Sequence, residues 1–191
     1  MSIKKGIYAA SMSILNEDLS LDVDSTIKHA EKLVEVGCHG VVIFGSTGQA
    51  QLISSYEKQQ LIEKLSDCKF KDYFIIGTGN NSLNENIEII KKSLGSGIDR
   101  FLIMPPAYYS GTKGYKDEGA YSFFSNIIQK IDEIKLIAYN FERLSGYKFS
   151  KEIIEKLVKD FPRQIVGVKD SSYNLYDTLK IPNFLIFPGS E

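Results

Sequence analysis

Three short stretches of the chain hold side chains suited to carbonyl chemistry. In Gly167-Val168-Lys169-Asp170 a lysine closes the apolar run that opens at Ile165. Lysines ordinarily keep their ammonium group in water. At the end of a central apolar strand, desolvation favours the neutral amine, the form that attacks a ketone. The competing reading is a strand-end lysine paired with a nearby carboxylate. A second apolar run ends in Ala138-Tyr139-Asn140, where the tyrosine is either an amphipathic cap on the core or a catalyst. The third stretch, Gly45-Ser46-Thr47-Gly48-Gln49, offers hydroxyls and N–H groups that suit a carboxylate, with two glycines that let backbone approach a ligand. A plain tight turn is the alternative there. Hydroxyls, a phenol and an amine from three strands converge only if those strands close around a common axis.

The elements that must position them recur with a steady rhythm. Apolar, β-rich runs lie at Ile7–Met12, Gly40–Phe44, Tyr73–Gly77, Arg100–Met104, Lys135–Tyr139, Ile165–Lys169 and Phe184–Phe187. Between them, helical spacing predicts Ser25–Val36, Ser55–Leu65, Asn84–Leu94, Glu118–Ile131, Lys151–Lys159 and a short Leu175–Leu179. Ser54-Ser55-Tyr56-Glu57 fits a capping box, and Gly37 and Gly95 are placed to close helices in the left-handed conformation. Strand, helix and strand at about 30 residues per unit make βαβ units. Continuously apolar runs such as Val41-Val42-Ile43-Phe44 predict a parallel sheet covered on both faces. An open doubly wound sheet and a closed (β/α)8 barrel remain. No GxGxxG follows the first strand, and Gly77-Thr78-Gly79-Asn80-Asn81-Ser82 matches it only in part, so a dinucleotide site is not predicted. The irregular loop Ala107–Asp117 is the longest, and long ordered loops at one end of such a sheet often carry function.

Composition excludes several classes. The 191 residues are 43% hydrophobic and 25% charged, with a net charge of −1, which argues against disorder and against an electrostatic partner such as nucleic acid or an anionic membrane surface. Cys38 and Cys68 form no CxxC, and His29 and His39 stand in no ligand spacing, so neither a disulfide framework nor a metal site is signalled. Lys4 and Lys5 precede a small, apolar run, but its serines and the missing cleavage site favour a first buried strand over a secretory signal. No stretch is long enough for a membrane span, and the expected compartment is the cytoplasm.

The residues together resemble the dihydrodipicolinate synthase and N-acetylneuraminate lyase superfamily, pyruvate-dependent class I aldolases on a (β/α)8 TIM barrel. Gly45-Ser46-Thr47-Gly48 is similar to the family's GTTGE or GSTGE loop, and Tyr139-Asn140 with Leu144-Ser145-Gly146 to its YNxPxxxG segment. Gly167-Val168-Lys169-Asp170 is similar to its GxK(E/D) Schiff-base strand, Pro106-Ala107-Tyr108-Tyr109 to its aromatic loop, and Gly189-Ser190-Glu191 to its Gly-x-(Asp/Glu) turn. The resemblance implies that Lys169 forms an imine with pyruvate or another 2-oxo acid while Tyr139 shuttles the proton. It implies that Thr47 and the neighbouring amides, Gly48 among them, hold the carboxylate, that Ser46 links Tyr139 to a tyrosine from a neighbouring subunit, and that Gly189 gives a backbone contact. The donated tyrosine is expected to be Tyr108, with Tyr109 its competitor. No metal or organic cofactor is implied, because a protonated imine is itself an electron sink. The partner substrate is an aldehyde, and the assembly a homo-oligomer, a tetramer built from dimers.

Departures from the family pattern bear on the aldehyde. Members acting as synthases carry an arginine where Leu144 stands here; the arginine is instead Arg143, suited to a carboxylate but shifted in register. Glu142 replaces the usual proline, Gln49 the usual glutamate, and Ser46 the threonine usual in synthases. The reading is therefore a pyruvate-dependent aldolase on the lyase side. Its alternatives are a true 4-hydroxy-tetrahydrodipicolinate synthase of lysine biosynthesis and a non-catalytic member binding a 2-oxo acid. Eight units of about 30 residues need roughly 240. Residues 1–191 are accordingly expected to be one barrel domain cut off after its seventh strand, a fragment of a longer protein.

Overall fold

The computed structural model describes residues 3–108 and 116–189. Its strands are β1 (Tyr8–Ala10), β2 (Gly40–Ile43), β3 (Phe74–Gly77), β4 (Arg100–Ile103), β5 (Lys135–Asn140), β6 (Ile165–Asp170) and β7 (Leu185–Pro188). The helices are α1 (Val23–Glu35), α2 (Ser55–Lys64), α3 (Leu83–Gly95), α4 (Asp117–Lys130), α5 (Glu142–Ser145) and α6 (Lys151–Asp160). Strand order in the sheet follows chain order from β1 to β7, without the reversal that marks a doubly wound sheet, so the barrel branch of the two predicted architectures is the one adopted. The chain divides into two compact units, Met1–Asn80 with Asn84–Phe101, and Asn81–Leu83 with Leu102–Glu191.

In the first unit, β1 pairs with β2 and β2 with β3, all parallel. Every residue of β2 and β3 is buried, as their unbroken apolar character requires. Helix α1 turns Thr26, Ala30 and Val34 inward, one residue per turn along a single stripe, and starts where Asp22 accepts the Ser25 N–H. Helix α2 opens on the predicted capping box. Glu57 also accepts the Leu21 N–H at 2.8 Å, tying the loop before α1 to the helix. Lys58 of α2 is fully buried, and its amine donates to the Thr78 carbonyl just beyond β3 at 2.9 Å.

In the second unit, β5, β6 and β7 are parallel neighbours. Leu136 pairs with Ile165 but Ile137 with Gly167, so Val166 is an extra residue on β6, a β-bulge. Beyond it Tyr139 faces Lys169 and Asn140 faces Asp170. Gly167 fits beside β7 only because it lacks a side chain: a Cβ there would meet the Leu185 carbonyl oxygen at 2.7 Å. Helix α6 buries Ile153, Ile154 and Leu157 below a Ser150 cap, and Phe149 packs edge-on against both Phe124 and Tyr147.

The strand and helix predictions correspond to observed elements with ends shifted by a residue or two, apart from three points. Leu175–Leu179 is a single turn and not a helix: the Asp170 carboxylate caps the Leu175 and Tyr176 N–H groups and the Leu179 N–H reaches the Leu175 carbonyl, but Pro182 disfavours helical geometry at Ile181, so no second turn follows. Gly95 is the last residue of α3, and the left-handed residue after it is Gly97, with φ +83°. Helix α5, four residues long, was not anticipated: Gly146 closes it with φ +73°.

Gly167→Ala should destabilise the fold by about 1–3 kcal/mol, since the obstruction is backbone that cannot rotate away; urea unfolding measures this, and an unchanged midpoint would contradict the packing described. Lys58 supplies a second test. Burial pushes its amine down to about 8 from the ordinary 10.5, against a smaller opposing pull from Glu85. Between those values the unfolded state holds more protons than the native state, so stability rises with pH. Relative to Lys58→Met, the natural protein should gain on the order of 2 kcal/mol between pH 7 and pH 10. A difference independent of pH would contradict the assignment.

Candidate active site

Lys169 and Tyr139 close adjacent parallel strands and, as register partners, project from the same face of the sheet. The Lys169 Nζ lies 4.5 Å from the centroid of the Tyr139 ring, within cation–π reach. Tyr139 is buried and packs against Phe141 at 5.8 Å, whereas Lys169 is half-buried. On its other flank Lys169 has Phe187 of β7 as register partner. Among the described residues no carboxylate pairs with its Nζ. Asp170, next in the chain, points to the opposite face and spends its oxygens on N–H groups of Asn140, Ser172, Leu175 and Tyr176. Within the described residues, then, the structural ion pair of the second sequence reading is not formed.

Gly189 completes this cluster. Its N–H donates to the Asp170 carbonyl at 3.1 Å, and a Cβ at this position would stand 1.9 Å from the Ser171 Oγ and 3.1 Å from the Lys169 Cε. Only glycine lets the backbone lie so close to the lysine stem. The Ser171 Oγ is buried without a hydrogen-bond partner among the described residues. Lys169, Tyr139 and Gly189 are thus brought together as the sequence predicts. Ser171, Asn140 and Asp170 were not singled out; the parallel dipeptides Tyr139-Asn140 and Lys169-Asp170, each closing a strand, were the signal available.

The carboxylate loop belongs to the first unit. Gln49 N–H donates to the Ser46 carbonyl and Ala50 N–H to the Gly45 carbonyl, forming a compact turn flanked by positive φ at Phe44 and Gln49. Gly48 is held against the β1 end: a Cβ would meet the Ser11 carbonyl oxygen at 2.8 Å, and Ser13 Oγ donates to the Gly48 carbonyl at 2.6 Å. Ser46 is half-buried and Thr47 exposed at the apex. The loop is thus a tight turn, with the Thr47 side chain open to solvent.

Other predicted residues stand apart. Arg143 is exposed on α5 beside Leu144. Glu142, at the start of that helix, donates its N–H to the Ser172 Oγ at 2.9 Å, a bond proline could not make, and pairs with Lys148. Tyr108 is 90% exposed with φ +79°, while Tyr109, Ser190 and Glu191 lie outside the described residues. Cys68 is no nucleophile: burial, reinforced by its hydrogen bond to Glu31, pushes its thiol up to about 11. Among the described residues no helix is long and apolar enough to cross a membrane, and no group of three or more His, Cys, Asp or Glu could hold a metal ion.

Comparison with known proteins bears on the family and the fold. The chain is 26% identical over 193 residues to a 4-hydroxy-tetrahydrodipicolinate synthase of Methanothrix thermoacetophila, covering 98% of this chain and 63% of that protein. It is 29% identical over 194 residues to an uncharacterised DapA-like lyase of Pyrococcus furiosus, with the same coverage. Its structure superimposes on the crystal structure of dihydrodipicolinate synthase from Agrobacterium tumefaciens with a TM-score of 0.81 and 28% identity, over 90% of this chain and 60% of that one. The chain therefore spans about three fifths of the length of these proteins. The family model described as dihydrodipicolinate synthetase family matches residues 4–191, and the chain belongs to that family.

Proposed function

We propose that the protein is a class I aldolase, a carbon–carbon lyase that joins pyruvate or another 2-oxo acid to an aldehyde, or separates them, through an imine on Lys169. The observation that carries this is the amine over the Tyr139 ring at the ends of β5 and β6, without a carboxylate partner among the described residues. In this reading the neutral Nζ attacks the ketone carbon, giving a carbinolamine. Tyr139 donates a proton to the departing oxygen, water leaves, and a protonated imine remains. Loss of a proton from the adjacent carbon gives an enamine that attacks the aldehyde carbonyl, and hydrolysis returns the free lysine. The reverse sequence cleaves the same bond. Electron withdrawal by the imine nitrogen is what lowers the barrier, because it is greatest where carbanion character develops.

The remaining roles follow from each group's own chemistry. Thr47 and the Gly48 amide suit a carboxylate, the Ser46 hydroxyl suits a proton relay, and Gly189 contributes backbone against the lysine stem. Tyr108 is exposed enough to be given to a neighbouring subunit in a homotetramer, and the expected compartment is the cytoplasm. The lyase side is favoured because Leu144 fills the position at which synthases of the family resembled carry arginine, while Arg143 and Leu144 both face outward on α5. The second reading is a 4-hydroxy-tetrahydrodipicolinate synthase, as the Methanothrix thermoacetophila relative is named.

Borohydride added with pyruvate should attach one reduced pyruvate to Lys169, located by peptide mass mapping, and Tyr139→Phe should slow attachment by roughly 10²-fold; an adduct on another lysine, or none, overturns the reading. A panel of aldehydes separates the two branches. Turnover is expected with polyhydroxylated or simple aldehydes, and turnover confined to aspartate semialdehyde would establish the synthase instead.

A further inference from the structure

Behind the reacting pair, on the opposite face of the same two strands, lies a buried polar network that the mechanism above does not use. Asn140 and Asp170, fully buried, are register partners one residue beyond Tyr139 and Lys169. Asp170 Oδ1 accepts the Asn140 amide at 2.8 Å and the Ser172 N–H at 3.2 Å; Oδ2 accepts the Leu175 and Tyr176 N–H groups at 2.8 and 3.0 Å. The Asn140 amide also donates to the Asn174 side-chain Oδ1 at 2.8 Å, the Asn174 side-chain amide donates to the Phe149 backbone carbonyl at 2.9 Å, and the Phe149 N–H donates to Asn140 Oδ1 at 3.1 Å. Asn140, Phe149 and Asn174 thus close a ring of three hydrogen bonds, with the Asp170 carboxylate fastened to it.

We propose that Asp170 is a positioning residue for the reaction at Lys169, holding the register of β6 on β5 so that the amine stands against Tyr139. This rests on the Schiff-base reading above. Backbone rungs between strands tolerate a shift of one residue, and the bulge at Val166 makes such a shift easy to reach. In the register without a bulge, Tyr139 would face Val168, and Lys169 would face Asn140 on the far side of the sheet. The bond from Asn140 to Asp170 exists only in the observed register. A carboxylate suits this place because both its oxygens accept, whereas an amide must turn an NH2 towards one pair of N–H donors. Buried, the mismatch cannot be relieved by water.

Single-turnover trapping of pyruvate by borohydride in Asp170→Asn tests the role. The maximal trapping rate per reactive site should fall roughly 10- to 100-fold, with the half-saturating pyruvate concentration within about twofold of the natural protein's, as a displaced amine predicts. A purely structural role would instead reduce the number of trappable sites and leave the rate at each unchanged, and that outcome overturns the proposal. Should Asp170→Asn fail to fold, Asn174→Ala loosens the ring while leaving the carboxylate in place; its rate per site should fall roughly 3- to 10-fold, and an unchanged rate overturns the proposal. The exchanged pair Asn140→Asp with Asp170→Asn, which rebuilds one amide-to-carboxylate bond between the strands, should recover part of the loss. Absence of any adduct in the natural protein would overturn the Schiff-base reading itself, and this inference with it, whereas an adduct in the natural protein matched in rate by the variants overturns this inference alone.

Discussion

Which residue of β6 stands opposite Tyr139 is decided by one extra residue, Val166, between the pairs Leu136 with Ile165 and Ile137 with Gly167. Side chains alternate across a strand, so moving that bulge exchanges the faces of Lys169 and Asp170. Gly167 lets β7 come close enough to pair, and the pairing adds Phe187 as the second aromatic flank of the lysine. The network around Asn140 then makes the chosen register the one in which buried polar atoms are satisfied. Gly189 gains its place against the Lys169 stem from the same register, through its hydrogen bond to the Asp170 carbonyl.

Lys58 and Lys169 show how environment assigns different work to one side chain. Lys58 is enclosed and donates a hydrogen bond to a fixed acceptor, the Thr78 carbonyl, so its amine braces the end of β3. Lys169 is open on one side and rests against an aromatic face, without a carbonyl or carboxylate partner among the described residues. An amine held that way keeps its lone pair available when deprotonated, as a nucleophile must. Cys68, the other buried group that might have reacted, is kept as a thiol.

Much of this was legible in the residues. Unbroken apolar strands such as Phe101-Leu102-Ile103 can only be buried on both faces, and Ser54 with Glu57 announces the start of α2 by the reciprocal bonds the two make. Lys169 and Tyr139 were visible because an amine and a phenol are unusual closures for apolar runs. Hidden were features that depend on partners far away in sequence. The bulge at Val166 carries no composition signal of its own, and Leu175–Leu179 has helical spacing but closes only one turn, from the Leu179 N–H to the Leu175 carbonyl, before Pro182. Gly95 and Gly97 both lie at the end of α3, and local sequence does not say which of them turns left-handed. Asp170 itself reads as a solvated charge beside a lysine until the fold shows four N–H groups converging on it.

The central claim is geometric: the register set by the bulge puts the Lys169 amine where a carbonyl carbon can meet it with Tyr139 at hand. A crystal structure of the protein reduced by borohydride in the presence of pyruvate tests it most directly. The account predicts continuous density from the Lys169 Nζ to the pyruvate carbon, the Tyr139 hydroxyl within hydrogen-bond reach of the adduct, and Tyr139 still paired with Lys169 across the bulged strands. Density for the adduct on another side chain, or on a Lys169 that faces Asn140 instead of Tyr139, would contradict it.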